Sequence, residues 1–197
     1  MSRGRLILVR HGESTGNLAR CFSPDPDIEL TERGTEQARR TGQMLRARFR
    51  IARIVASPYR RARRTAELIA DELGGDLPIE IEEALRERAI GDLAGARYSA
   101  MREHPDYDPE RYWAWRPPNG ESLEDVRDRA GALLPGLAAR WPGEDVLLVS
   151  HGGTMLSLCA SVEGGFLRPK VAGNCEAVVI EHRPGTPLVL VEREDEE

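Results

Sequence analysis

The sequence predicts an α/β fold, a three-layer α/β/α sandwich around a mostly parallel central sheet with a small cap segment. Two runs of consecutive apolar residues, 6–9 and 146–149, lack polar alternation, as is typical of parallel strands covered on both faces. Strand-like runs alternate with segments of helical spacing along the chain. We expect residues 1–197 to form a single domain, with the cap segment at about 96–120.

The region up to residue 49 predicts a strand, a helical turn, a loop and a helix. The strand at 6–9 is followed by a helical turn at 14–20 and by a proline-containing loop at 21–30. Thr31 is a suitable N-cap for the next helix, because its side-chain oxygen can accept a backbone hydrogen bond from the first turn. The core stripe of this helix has helical spacing and consists of Ala38, Thr41, Leu45 and Phe49.

The next elements are a strand at 53–56, a helix, and a strand at 77–81. Ser57 is expected to cap the helix, with Pro58 in its first position, where the missing N–H of proline costs nothing. The core stripe of this helix consists of Ala62, Ala66, Ile69 and Leu73. The segment 83–118 that follows is polar and not clearly periodic.

The last part of the chain returns to helices and strands. Ser122 begins a capping-box-like sequence, and the helix that it starts contains Pro135, which should kink or shorten the helix. A strand at 145–149 and a helix at about 154–162 come next. Two final strands are expected to pair across a turn: 177–181 and 188–191.

Composition excludes several classes of function. The 197 residues are 40% hydrophobic and 31% charged, as in ordinary soluble proteins, and no apolar stretch approaches the roughly 18–20 residues of a membrane span. The net charge of −5 disfavours a nucleic-acid partner. The cysteines, Cys21, Cys159 and Cys175, form no Cys-x-x-Cys pair, so we expect a reducing, cytoplasmic location without a zinc site.

Both long apolar strands end in a His-Gly pair. His11 follows Arg10 at the end of the first, and His151 follows Ser150 at the end of the second. Open α/β sheets bind ligands at the carboxyl edge, so the two histidines are expected to face each other there. Gly12 is expected to let a ligand approach the backbone closely.

This residue set suits phosphoryl transfer, which needs a nucleophile, positive groups around the phosphate oxygens and a proton source for the leaving group. A neutral His11 imidazole can attack phosphorus, and Arg10 can bind phosphate oxygens in pairs. Arg61 lies in the first turn after the strand at 53–56, so its side chain can return to the sheet edge. His151 supplies a second imidazole, and Glu87, in a loop that could fold over the site, could act as a general acid.

The chain resembles the histidine phosphatase superfamily, in its phosphoglycerate-mutase-like branch. The matching segments occur in the expected order: LVRHGES at 8–14, LTERGTEQA at 30–38, SPYRRARRTAE at 57–67, LRERAIGDLAG at 85–95, PNGESLEDVRDR at 118–129 and VSHGG at 149–153. The resemblance implies a phosphohistidine intermediate on His11 and a proton donor at Glu87.

The resemblance also implies how the phosphoryl group is held. Its ligands are expected to be Arg10, Arg61 and His151, with help from Asn17 and Gly152. The family pattern Arg-Ala-x-x-Thr-Ala selects Arg61. The neighbouring arginines are expected to lie on a solvated face: Arg60, Arg63 and Arg64. No metal and no other cofactor are implied, and the substrate is expected to be a small phosphorylated metabolite.

Other interpretations stay open at the level of sequence. The short segment between Gly95 and Gly120 and the early end of the chain favour a phosphatase over a cofactor-dependent phosphoglycerate-type mutase, since water should reach the intermediate. A non-catalytic member of the same fold is a further alternative. A metallohydrolase using His11, His151, Glu13 and Glu87 is disfavoured, because the spacing is wrong and two arginines would repel the cation.

Three smaller questions also stay open. Glu13 either orients neighbouring groups or forms a surface ion pair. Five residues of the cap segment either face the pocket or anchor the segment to the core: Arg111, Tyr112, Trp113, Trp115 and Arg116. The sequence leaves a homodimer open.

Overall fold

The computed structural model describes residues 3–23, 25–166 and 171–193, and within them a six-stranded sheet. The strands in chain order are β1 (Gly4–Arg10), β2 (Ile51–Ala56), β3 (Ile79–Ile81), β4 (Asp145–Ser150), β5 (Ala177–His182) and β6 (Val189–Arg193). Their spatial order is β3-β2-β4-β1-β5-β6. The first four strands pair in parallel and the last two are antiparallel, which confirms a mostly parallel sheet.

Seven α-helices lie within the described residues: α1 (Thr15–Ala19), α2 (Glu32–Arg48), α3 (Arg60–Leu73), α4 (Ser99–Glu103), α5 (Leu123–Ala130), α6 (Leu133–Arg140) and α7 (Gly152–Glu163). Short 3₁₀ turns occupy Glu83–Leu85, Gly91–Leu93 and Pro109–Arg111. None of the helices in the described part of the chain is long and apolar enough to cross a bilayer.

The two faces of β1 explain the layered arrangement. Ile7 and Val9 pack in one core cluster with Leu45 of α2 and Ile69 of α3. Leu6 and Leu8 face the other way and pack with α6 and α7. A strand whose alternate side chains are buried on both faces needs a continuous apolar sequence, as the run at 6–9 has. The α/β/α sandwich predicted from the sequence is therefore confirmed.

Two predicted caps are present: Thr31 caps α2, and Ser122 forms a capping box with Asp125 at the start of α5. A capping box that was not predicted, formed by Ser14 and Asn17, begins α1. Phe49 is not part of the helical stripe of α2 but its C-cap. These hydrogen bonds satisfy backbone N–H groups that have no partner within a helix.

The helix containing Pro135 is divided, but one turn before the proline. α5 ends at Ala130 and α6 begins at Leu133. Proline cannot donate to the carbonyl four residues earlier, here that of Gly131, and its ring crowds that carbonyl. The interruption therefore lies at 131–132, while Pro135 occupies the first turn of α6, where no N–H is needed.

Two boundary predictions are wrong. Ser57 does not cap α3, which begins at Arg60 with Tyr59 as N-cap, because the Ser57 hydroxyl is bonded to His151 instead. The third strand covers only Ile79–Ile81, since Pro78 has no N–H with which to extend the ladder.

Strand register brings the two histidines to one place. Arg10 of β1 is paired with Ser150 of β4, so His11 and His151 each follow at adjacent strand ends. Ala56 of β2 is paired with Val149, which brings Ser57 beside the same edge. The fold thus gathers three sequence-distant segments at the carboxyl edge of its parallel strands.

Candidate active site

The imidazole of His11 is neutral and presents Nε2 to the site. Its Nδ1 lies 2.7 Å from the Gly12 carbonyl oxygen, which can only accept, so Nδ1 carries the proton. Arg61 Nε donates to His11 Nε2 at 3.2 Å. Burial, Arg61 and Arg10 hold the pKa of His11 well below its usual 6.5. The ring therefore keeps an unshared electron pair on Nε2.

His151 lies against His11, with ring centroids 5.1 Å apart in an edge-on arrangement. Its Nε2 is 2.7 Å from Ser57 Oγ, which itself accepts a hydrogen bond from the Tyr59 N–H. The Ser57 proton is then best directed to Nε2, which leaves the His151 proton on Nδ1. That Nδ1 is buried and has no partner. Burial first, and then Arg61, lower the pKa of His151 well below 6.5.

Arg61 is the arginine of α3 that reaches the sheet edge. It is only 5% exposed, its guanidinium lies over the Tyr59 ring at 4.9 Å, and burial lowers its pKa despite the opposing charge of Glu87. Arg60 is exposed and pairs with Glu29 at 2.7 Å. The other two arginines of the helix start are also exposed: Arg63 and Arg64.

Arg10 reaches the site from the end of β1. Its Nη1 donates to the Ala172 carbonyl oxygen at 2.7 Å, and its Nε is buried without a partner. Buried polar atoms in native structures are nearly always bonded, so an unpaired Arg10 Nε beside an unpaired His151 Nδ1 suggests donors that a ligand would satisfy.

Glu87 lies at the N-terminus of α7. Its carboxylate accepts hydrogen bonds from the backbone N–H groups of Arg88, Gly153 and Thr154, at 2.8, 3.3 and 3.2 Å. Helix N-termini attract negative charge, and α7 is the helix that begins right after His151. The loop that carries Glu87 is therefore folded over the site, as the sequence predicts.

Glu121 fixes that loop, a role that the sequence did not reveal. Its carboxylate binds Arg86 with two 2.8 Å hydrogen bonds, Arg129 at 3.1 Å and the Ala89 N–H at 2.9 Å. Although burial opposes ionisation, these donors lower the pKa of Glu121 to about 2. Glu121 lies in the segment PNGES, but the residues that its carboxylate binds lie outside this segment.

Asn17 and Gly152 both line the cavity at this site. Asn17 Oδ1 accepts from Asn174 Nδ2 at 3.1 Å, and Asn17 Nδ2 donates to Tyr98 Oη at 3.2 Å. Asn174 also donates to the His11 carbonyl oxygen at 2.9 Å. Sequence reasoning missed Asn174, which ties the β1 end to α1.

The prediction that Gly12 lets a ligand approach the backbone closely is wrong. Glu13 makes both of the contacts predicted for it, one with a neighbouring group and one ion pair. A Cβ on Gly12 would collide with the Gly34 carbonyl oxygen of α2, so a glycine here lets α2 pack closely against the end of β1. Gly12 does not line the cavity. Glu13 accepts from Thr31 Oγ1 at 2.9 Å and lies 3.8 Å from Arg33.

A cavity of about 790 Å³ opens beside His11, whereas His151, which is fully buried, does not line it. Of the residues left open in the cap segment, Tyr112 lines this cavity. Trp115 is 7% exposed and packs against Tyr107, while Trp113 stacks on Phe166 with rings 4° from parallel. The two tryptophans therefore anchor the segment. The same lining does not include Arg111 or Arg116.

The titratable groups of the site do not form a cluster of metal-ligand type. Within the described ranges, no three His, Cys, Asp or Glu side chains are placed to share one ion. Glu13, a candidate ligand at the level of sequence, faces α2 and does not line the cavity with His11 and Glu87.

Comparisons with known proteins agree on one family. The family model described as Histidine phosphatase superfamily (branch 1) matches residues 6–195 of this chain. A 2,3-bisphosphoglycerate-dependent phosphoglycerate mutase of Afipia carboxidovorans is 35% identical over 176 residues, covering 83% of this chain and 83% of the relative. A relative from Methylobacterium sp. with the same description is 38% identical, covering 81% and 80%.

Solved structures with the same fold include phosphatases. A mycobacterial glucosyl-3-phosphoglycerate phosphatase in complex with VO3 has a TM-score of 0.78 and 28% identity, covering 89% of this chain and 90% of that one. A phosphoserine phosphatase mutant from Entamoeba histolytica, in complex with phosphoserine, has a TM-score of 0.81 and 26% identity, covering 96% of both chains. Fold, motif order and these matches together show that the chain belongs to the histidine phosphatase superfamily.

Proposed function

We propose that this protein is a metal-independent phosphomonoesterase that hydrolyses a small phosphorylated metabolite through a phosphohistidine on His11. The observation that carries the proposal is the neutral His11 imidazole, which lines a cavity with its unprotonated Nε2 held by a hydrogen bond from Arg61 Nε that a bound phosphate oxygen would take over. A buried imidazole that remains unprotonated is a nucleophile across the whole neutral range.

In the first step, His11 Nε2 forms a bond to phosphorus while the bond to the ester oxygen breaks. Arg10, Arg61 and the Nδ1–H of His151 stabilise the non-bridging oxygens, with Asn17 and Gly152 bordering the same space. In the complex, the phosphate dianion beside Glu87 favours its protonated form over the carboxylate. Glu87 then gives this proton to the leaving alkoxide, so an alcohol departs.

In the second step, water releases the phosphoryl group. The Glu87 carboxylate accepts a proton from water as the water oxygen bonds to phosphorus and the bond to Nε2 breaks. Inorganic phosphate and the neutral imidazole are regenerated, and Glu87 is again protonated. A single carboxylate thus serves as acid and then as base.

Access of water favours hydrolysis over transfer. The cavity reaches the surface at Arg102 and Pro109, which are both exposed, so a phosphohistidine would meet solvent. The resemblance to curated phosphoglycerate mutases makes a mutase the second candidate. A mutase has to keep water away while its substrate turns, which an open rim does not do.

The positive charge needed at phosphorus is supplied by the protein itself. Arg10 and Arg61 both lower the pKa of His11, which supports the proposal that their charges surround the phosphate. A divalent cation in the same place would be repelled by these guanidinium groups. This is the support for proposing metal independence.

The chain's own properties support the remaining parts of the proposal. None of the three cysteines, all of which lie in the described part of the chain, forms a disulfide, and Cys159 and Cys175 are buried, which fits a reducing cytoplasm. The net charge of −5 fits a small metabolite as partner rather than a nucleic acid. We propose that residues 1–197 work as one domain with its cap segment at 96–120.

The test separates hydrolysis from transfer. The protein is incubated with 3-phosphoglycerate, with and without 2,3-bisphosphoglycerate, and separately with p-nitrophenyl phosphate, while inorganic phosphate and 2-phosphoglycerate are measured. We expect phosphate release that persists in EDTA and is inhibited by vanadate. Formation of 2-phosphoglycerate faster than phosphate would establish the mutase, and loss of activity in EDTA would reject metal independence.

Arg61 and Arg60 provide a matched pair of variants. Arg61→Ala should reduce kcat/KM on the order of 10²–10³-fold, as for the loss of one preorganised charge donor, while Arg60→Ala should change it less than about threefold. Both variants remove one guanidinium from the same turn of α3, but only that of Arg61 contacts His11. Similar losses in the two variants would show that general positive charge, not contact, is what matters.

A further inference from the structure

From His11, the cavity continues into an apolar region. Its largely apolar wall is formed by side chains from the cap segment, α5, α7 and two loops: Phe22, Met101, Tyr112, Leu123, Leu156 and Val171. The Tyr112 ring belongs to this wall, and its Oη is a polar atom buried there without a hydrogen-bond partner. Phe22 is held edge-on against Tyr98, with ring centroids 4.9 Å apart, which gives this wall a fixed shape.

The charged side chains that line the cavity are concentrated near His11. Arg10, Arg61 and Glu87 belong to the phosphate-binding part. Arg88 also borders the cavity, but its Nη2 donates to the Trp115 carbonyl oxygen at 2.8 Å and its Nε to that of Glu121. Burial lowers the pKa of Arg88, as expected in apolar surroundings. Among the described residues, the remaining lining arginine, Arg102, lies at the exposed rim.

The size and polarity of this cavity fit a larger and less polar alcohol than glycerate. A volume of about 790 Å³ lies within the range of roughly 300–1,000 Å³ that encloses drug-sized ligands. A three-carbon hydroxy acid would leave most of the apolar wall in contact with water. Among the described residues that line this part of the cavity, the cation left to meet its carboxylate is Arg102 at the rim.

We propose that the substrates are phosphate monoesters whose alcohol part is an apolar group of at least six carbon atoms, either an alkyl chain or a ring, bound against the apolar wall. This inference rests on the proposed phosphatase activity, because it assigns the leaving group of the same site. The phosphate is bound by Arg10, Arg61 and His151, and specificity comes from removing the alcohol part from water.

The test uses a series in which only apolar length changes. The n-alkyl phosphates from ethyl to octyl all release primary alcohols of nearly equal acidity, so the chemical step is constant along the series. Each methylene buried against the wall should raise kcat/KM about fourfold. The increase should reach on the order of 10² between ethyl and hexyl phosphate, and hexyl phosphate should exceed 3-phosphoglycerate.

A matched pair of variants locates the effect. Met101→Ser removes part of the apolar wall, and Met44→Ser removes a methionine of similar exposure on α2, outside this cavity. Met101→Ser should reduce the gain between ethyl and hexyl phosphate at least threefold. Met44→Ser should preserve the gain. An equal reduction in both variants would contradict the proposed binding surface.

A binding experiment keeps this inference separate from the proposed function. The dissociation constants of n-alkyl phosphonates, which cannot be hydrolysed, should fall along the same series in the wild-type protein. If no ester is hydrolysed but the phosphonates show this dependence, the phosphatase proposal fails and the apolar site stands. Constant affinity along the series, or a preference for 3-phosphoglycerate over hexyl phosphate, would overturn the inference.

Discussion

His11→Ala should reduce phosphatase activity on the order of 10⁵-fold, the largest effect expected of any single substitution. Removal of a covalent nucleophile leaves only the stabilisation that the surrounding donors provide, because no other group can form the intermediate. His151 cannot substitute, since its Nε2 is engaged by Ser57 and its ring is held by the packing around it. The measurement is initial-rate phosphate release at saturating ester.

The intermediate itself can be trapped. Brief reaction with a ³²P-labelled phosphomonoester, followed by denaturation, should leave acid-labile, base-stable label on the wild-type protein, as expected of phosphohistidine, and none on His11→Ala. His104→Ala is the control, because it removes a histidine of the cap segment that does not line the cavity. Acid-stable label on the wild type, or label that persists in His11→Ala, would refute the assignment of the nucleophile.

Glu87→Gln should have an effect that depends on the leaving group. With hexyl phosphate the departing alkoxide needs a proton, so loss of the acid should reduce the rate on the order of 10²–10⁴-fold. With p-nitrophenyl phosphate the phenolate leaves without help, and the loss should be no more than about tenfold. Both rates are measured before the first turnover is complete, so that they report phosphorylation of His11.

The matched control for this substitution is Glu83→Gln. Glu83 lies in the same loop region but is exposed and does not line the cavity, so both substrates should be unaffected. Glutamine retains the shape of Glu87, and its one oxygen can replace Oε1, which accepts from the Arg88 and Thr154 N–H groups. Equal losses on the two esters would limit Glu87 to positioning or to activation of water.

The order of motifs made much of the fold and site predictable. The apolar runs before His11 and His151 indicated buried strands, and parallel pairing placed both histidines at one edge. The family pattern that the chain resembles, in which the arginine precedes an alanine, distinguished Arg61 from its neighbours. These predictions depend on short segments of sequence, each of which carries its own pattern of polarity.

The parts that escaped prediction are contacts between distant segments. Ser57 has the composition of an N-cap, yet His151, 94 positions away, binds its hydroxyl. Asn174 contacts the His11 carbonyl across 163 positions, and Glu121 binds Arg86 across 35. A local sequence pattern cannot reveal such partners, because the hydrogen-bond partner of a polar residue depends on which distant segments lie beside it in the folded protein.

The buried histidines have a consequence for the folding equilibrium. His11 and His151 have folded-state pKa values below 6.5, their value when exposed in the unfolded chain. Between those values the unfolded chain binds protons that the folded protein does not. The free energy of unfolding therefore rises with pH up to about 6.5 and falls as the medium is acidified, by as much as about 1.4 kcal/mol per pH unit for each histidine.

Occupancy by an anion changes that balance. In the proposed binding mode, a phosphate held by Arg10 and Arg61 would compensate the positive charges that oppose protonation of His11 and His151. The protein would then lose less stability on acidification when the site is filled. Binding to the folded state alone also adds its own stabilisation. The same arrangement that keeps Nε2 of His11 ready for attack thus makes the empty protein acid-sensitive and the occupied protein resistant, which links the persistence of the fold to the supply of its substrate.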